Sequence, residues 1–211
     1  MILQKLAFLT FSLNLPRWSF VLTIVIGLAF FWVAPPSAHA QISGIGLQGT
    51  VGALVPGGDA FFNRENGQGF EGVVSWGFNS GLEFGVGVQR SQHDLVGVIA
   101  PCDLTAAFAE VRWRFNTASA SALKIYPFIG ARGGYAHRSI NGQFEESGDG
   151  FLAGGVAGFE FWVSRRIALT AQGRIDWFSI DRIGPYEQQA SETERMDGNM
   201  AGAKLGIKIR P

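Results

Sequence analysis

From Ile167 to Trp177 the chain repeats with a period of two. Ile167, Leu169, Ala171, Gly173, Ile175 and Trp177 fall on one side, while Thr170, Gln172, Arg174 and Asp176 fall on the other. A helix would spread these residues around its axis, so the run reads as a strand with one apolar and one polar face. About ten residues suffice to cross a bilayer as a tilted barrel strand.

The same alternation recurs along the chain. A first strand over Gly44–Val55 sets Ile45, Leu47, Val51, Ala53 and Val55 against Gln48 and Thr50. A second over Phe70–Phe78 sets Val74, Trp76 and Phe78 against Glu71 and Ser75. The third, Leu82–Arg90, opposes Leu82, Phe84, Val86 and Val88 to Glu83 and Gln89. The fourth, Leu104–Phe115, opposes Ala107, Ala109, Val111, Trp113 and Phe115 to Glu110, Arg112 and Arg114. A fifth runs over Leu123–Tyr135, with Lys124, Tyr126, Phe128 and Arg132 on its second face and Pro127 inside it. The sixth covers Phe151–Val163, the seventh starts at Ile167, and the last covers Asn199–Arg210, with Lys204, Lys208 and Arg210 on one face. Asn79-Ser80-Gly81 and Ser164-Arg165-Arg166 read as tight turns, and 116–121 as a short polar link.

The intervening stretches Pro56–Gly69, Ser91–Asp103, Arg138–Gly150 and Ser179–Gly198 read as long loops. Connections then alternate long and short, as in outer-membrane barrels, which turn tightly on the periplasmic side and loop widely outside. The expected fold is all-β: an eight-stranded antiparallel up-and-down transmembrane β-barrel over 41–211.

Residues 1–40 are set aside as a cleaved signal peptide. Lys5 and Arg17 precede an apolar run from Phe20 to Ala34, followed by Pro35-Pro36 and the small-x-small site Ala38-His39-Ala40. A retained N-terminal anchor is the alternative. Its removal takes two bases from 17 Lys+Arg and none from 17 Asp+Glu, leaving a net charge of −2. That balance lacks the basic footprint of nucleic-acid binding. Cys102, the one cysteine, cannot form an internal disulfide, and beside Pro101 it reads as a loop thiol, free or capped. Gly44-Ile45-Gly46-Leu47-Gln48-Gly49 matches G-x-G-x-x-G, but alternating strand follows where a dinucleotide site needs a helix.

Alternation alone leaves open which face looks inward. A soluble barrel would bury the apolar side. Here Trp76, Phe78, Trp113, Phe115 and Phe161 cluster near the short turns, and Tyr135 and Trp177 near the long connections. That distribution suggests two interfacial aromatic girdles. The polar faces carry Glu71, Glu83, Glu110, Glu160 and Asp176 with Arg112, Arg114, Lys124, Arg132, Arg174, Lys204 and Lys208. Gly46, Gly85, Gly130, Gly154 and Gly158 on the same faces leave room for long side chains. An eight-stranded barrel is wide enough only to be filled by side chains, so paired charges would plug it.

Leu82-Glu83-Phe84-Gly85-Val86-Gly87-Val88, Ala109-Glu110-Val111-Arg112-Trp113-Arg114-Phe115 and the Pro127-to-Tyr135 segment resemble the small eight-stranded outer-membrane β-barrel family, porin-like and OmpA/OmpX-like. The resemblance implies export to the outer membrane of a Gram-negative-type bacterium, with outer-membrane lipids and lipopolysaccharide as partners. Many relatives end in an aromatic residue read by the insertion machinery, whereas this chain ends Ile209-Arg210-Pro211. No periplasmic peptidoglycan-binding domain follows, so anchoring through one is not expected.

The function expected is therefore non-enzymatic: a barrel with a packed, charged interior and long surface loops, in a structural or surface-recognition role. No catalytic, cofactor-binding or metal residues are assigned. His93 and His137 lie far apart with no Cys/His cluster. Two alternatives remain. His137-Arg138-Ser139 resembles the His-x-Ser site of lipid A deacylase barrels, which would make Ser139 the nucleophile, His137 its base and Glu145 or Glu146 the orienting acid. Here Ile140 separates Ser139 from Asn141, and i, i+2 pairs arise readily by chance. The other alternative is a soluble periplasmic ligand-binding barrel.

Overall fold

The computed structural model describes residues 43–58, 65–95, 98–115, 124–140, 146–183 and 194–211. They form β1 (Gly44–Gly58), β2 (Gly67–Gly77), β3 (Leu82–Leu95), β4 (Val98–Arg114), β5 (Lys124–Ile140), β6 (Glu146–Trp162), β7 (Ile167–Ile183) and β8 (Glu194–Ile209). Each strand pairs antiparallel with its sequence neighbour, and β1 pairs with β8 to close the barrel. Closure leaves no unpaired edge, which is what a sheet in lipid requires.

The alternation puts the polar faces inside. Glu71, Glu83, Glu160, Arg112, Arg132, Asp176, Lys204 and Lys208 are all buried, while Leu47, Val51, Val74, Val86, Leu205 and Ile207 are about half exposed or more. Tyr126 and Phe128 also point inward, as their position in the period requires. The Lys124 side chain lies outside the described residues.

The short turns have the chemistry their sequences imply. Gly81 takes φ 88° after a turn in which its N–H donates to the Phe78 carbonyl at 3.1 Å. A left-handed residue there favours glycine. In the second turn the Ser164 hydroxyl accepts from the N–H groups of Arg166 (3.2 Å) and Ile167 (3.0 Å). Pro127 sits at the end of the β4–β5 ladder, one residue past the last pair Arg114↔Phe128: its carbonyl accepts from the Phe115 N–H at 2.8 Å, and its missing N–H costs only a terminal bond. The glycine-rich 44–49 segment lies wholly in β1.

The strands reach into the expected long loops. β3 and β4 continue through Ser91–Asp103 to Leu95 and Val98, with Gln92↔Asp103 and His93↔Cys102 in register. β5 and β6 continue to Ile140 and Glu146, and β7 and β8 to Ile183 and Glu194. The connections over 59–66 and 184–193 stay longer than the turns over 78–81 and 163–166, whereas that over 115–123 is longer than that over 96–97. Cys102 is in β4, fully buried and inward, and is not a loop thiol.

Inward glycines hold the charged chains close to the wall. A Cβ at Gly130 would lie 2.5 Å from the Val111 carbonyl and 3.0 Å from Arg112 Cγ. That Arg112 side chain crosses the lumen in the space a larger residue would take.

Candidate functional site

The lumen is filled in layers. Nearest the short turns, Lys208 Nζ donates to Glu83 Oε1 (2.6 Å), Glu83 Oε2 (2.8 Å) and Glu160 Oε1 (2.7 Å). Arg210 Nη2 donates to Glu83 Oε2 at 2.8 Å, and its guanidinium lies 5.4 Å from the Trp162 ring centre. Trp162 in turn donates to Glu160 at 3.1 Å.

The next layer is built on Arg112. It donates to Gln48 Oε1 at 2.7 Å and pairs with Glu110 at 2.7 Å, 4.9 Å above the Phe128 ring. Gln48 also donates to Gln172 at 3.2 Å, joining β1 to β7 past the intervening β8.

Glu71 is the hub of the third layer. Its Oε2 accepts from Arg132 (2.8 Å), Arg174 (2.9 Å) and Lys204 (3.1 Å), and its Oε1 from Gln172 (3.2 Å). Asp176 accepts from Arg132 Nε at 2.9 Å and Nη2 at 3.0 Å. Gln89 accepts from both Arg132 and Arg174. Four strands, β2, β5, β7 and β8, thus meet at two carboxylates, and Gln89 adds β3 through the arginines. Buried ion pairs need such charge-assisted hydrogen bonds to offset the loss of hydration.

Toward the far end the inward faces turn apolar. Leu54, Leu104, Ala106, Phe108, Leu152, Phe178, Ile180 and Met200 form one buried cluster. The charge pattern alone does not indicate this plug. Above it His93 is buried, its Nε2 3.1 Å from Ser91 Oγ.

The outer wall carries an apolar band with sharp limits. Along β7, outward residues are apolar from Ile167 to Trp177 and polar at Ser179 and Asp181. At roughly 3.3 Å per residue this run is about 33 Å long, or about 25 Å of membrane depth at a tilt near 40°. The same switch falls at Val88/Arg90, Tyr135/His137 and Phe151/Asp149. Tyr135 and Phe151 pack edge to face at 5.9 Å on one rim, and Phe78 and Phe84 at 5.9 Å on the other.

His137 and Ser139 both lie on the outer wall, just beyond that band. The orienting acid expected among Glu145 and Glu146 is not placed, because Glu145 and the Glu146 side chain lie outside the described residues. Asp149 is the residue that meets His137, with Oδ1 2.7 Å from Nδ1 on the paired position of β6. The β5–β6 register continues through 138–150, where a loop is expected, and sets Asp149 opposite His137. Among the described residues no group of three or more His, Cys, Asp or Glu side chains could hold a metal ion.

No family model matches the chain, and no curated protein matches it. Solved structures do. Neisserial surface protein A superposes with a TM-score of 0.64 at 15% identity, over 80% of this chain and 98% of that one. The outer-membrane protein OprG from Pseudomonas aeruginosa gives 0.50 at 11% identity, over 79% of this chain and 95% of that one. The chain has the fold of small eight-stranded outer-membrane barrels.

Proposed function

We propose that the chain is a non-conducting outer-membrane barrel that presents a polar surface beyond the lipid headgroups and performs no chemistry in its lumen. The observation that carries this reading is the inversion of the molecule: charges inside at every level of the short-turn half, an apolar plug in the other half, and an apolar outer band of membrane thickness. Residues 1–40 serve as its export signal and are cleaved. Outer-membrane lipids and lipopolysaccharide surround the band. An extracellular ligand would meet the extended strand ends, where Arg90, Gln92 and Asp94 on β3 and Asp181 on β7 face outward. Reconstitution into planar bilayers tests the closed lumen. The expected record has no discrete conductance steps; stable steps at protein-dependent frequency would overturn it.

A second reading is favoured by one contact. The Asp149–His137 pair fixes an imidazole on the lipid-facing side of β5, next but one to Ser139, at the headgroup level. A carboxylate on Nδ1 leaves Nε2 to act as base toward a hydroxyl. The substrate would be an ester of an outer-leaflet glycolipid. Mass spectrometry of lipid A from cells expressing the parent and Ser139→Ala chains separates the readings. A deacylated species that disappears in the variant supports the enzyme, and identical acyl patterns rule it out.

A further inference from the structure

Among the described residues, the exposed charges at the two rims of the barrel differ in sign. At the rim of the extended strands, Glu65, Asp94, Asp181 and Asp197 are exposed alongside Arg90 and Arg195. At the short-turn rim the exposed charges among the described residues are Arg165 and Arg166. The remaining short connections, 78–81 and 115–123, contain no charged residue at all. Just inside the same mouth, Arg114, Lys208 and Arg210 outnumber Glu83 and Glu160.

The geometry points to the β6–β7 turn as a seat for the phosphodiester headgroup of an anionic phospholipid in the leaflet that meets the short turns. The turn is held rather than loose. The Ser164 hydroxyl accepts from two of its N–H groups, and the Arg166 carbonyl accepts from the Arg210 N–H at 2.8 Å, tying it to the end of β8. Two guanidiniums are therefore presented together at the edge of the apolar band. The legs below them are lipid-facing: Val163 is 58% exposed and Ile167 42%. A lipid lying along those legs brings its phosphate to Arg165 and Arg166 without leaving the bilayer. Guanidinium suits a phosphodiester because it offers paired donors in one plane. Among the exposed described residues no acidic side chain lies on that rim. The opposite rim, where acids predominate, would repel the same headgroup.

This inference rests on the membrane reading above, and its test separates the two. The protein is reconstituted from vesicles of phosphatidylethanolamine with an equal share of phosphatidylglycerol of the same chains. Lipids retained after detergent extraction are then counted by native mass spectrometry. Failure to enter vesicles at all would sink the membrane reading itself. Once inserted, the parent should retain phosphatidylglycerol roughly tenfold or more over phosphatidylethanolamine, from about fivefold per base near an anionic surface. Arg165→Gln/Arg166→Gln should erase that preference, while Arg90→Gln on the other rim should keep it. Equal retention of both lipids by the parent, or an unchanged preference in the double variant, overturns the proposal. So does displacement of phosphatidylglycerol by millimolar inorganic phosphate, which would make the site a phosphate site rather than a lipid seat.

Discussion

Arg132 and Glu71 meet across the lumen at 2.8 Å, and neither side chain has any exposed surface. Arg174 and Lys204 converge on the same Glu71 oxygen. Replacing Glu71 by Gln leaves three buried cations to share Asp176. Breaking a buried ion pair in this way costs about 3–5 kcal/mol. Urea titration of folding into vesicles should show a loss of that size for Glu71→Gln. The Arg90–Asp103 contact, at 3.3 Å with Arg90 57% exposed, should lose less than about 1 kcal/mol on Arg90→Gln.

Leu205 is 67% exposed on the outer face of β8. On a water-soluble barrel, Leu205→Arg would be neutral or helpful. In the middle of a lipid-facing band it should destabilise by about 2–4 kcal/mol. Thr105→Arg, beyond the band on β4, should change stability by less than about 1 kcal/mol on the same depth dependence. The same folding titration measures both, and equal small effects would contradict the assignment of the outer wall.

Gly130 and Gly49 test the two faces by volume. A side chain at Gly130 would collide with the Val111 carbonyl and Arg112, whereas Gly49 has nothing within 4 Å of a Cβ. Gly130→Val should therefore cost about 1–3 kcal/mol by overpacking. Gly49→Val should be tolerated or stabilising, since a β-branched residue suits a strand better than glycine. A reversed order would place the narrow interior on the wrong side of the sheet.

The faces of the strands were legible because lipid and lumen impose opposite polarity on alternate residues. Ile167–Trp177 shows this most cleanly, and the structure puts each of its named polar residues inside. The strand ends were hidden for the same reason. Beyond the band, water lies outside and polar groups also lie inside, so Ser91, Gln92, His93 and Asp94 show no alternation although they remain in register with β4. The apolar plug was masked in the opposite way. Leu152 and Phe178 point inward while Phe151 and Trp177 point outward, so both faces are apolar and the period disappears. Asp149 is not legible as the partner of His137, because their pairing depends on a β5–β6 register that continues beyond the alternating stretch.

Fractionation of expressing cells, followed by electrophoresis of boiled and unboiled samples, tests the central claim most directly. An inverted barrel should sediment with the outer membrane and migrate differently before and after boiling, because the closed sheet resists detergent until heated. A chain found in the soluble periplasmic fraction, with one mobility under both conditions, would contradict the inversion of charge and apolar surface on which the account depends.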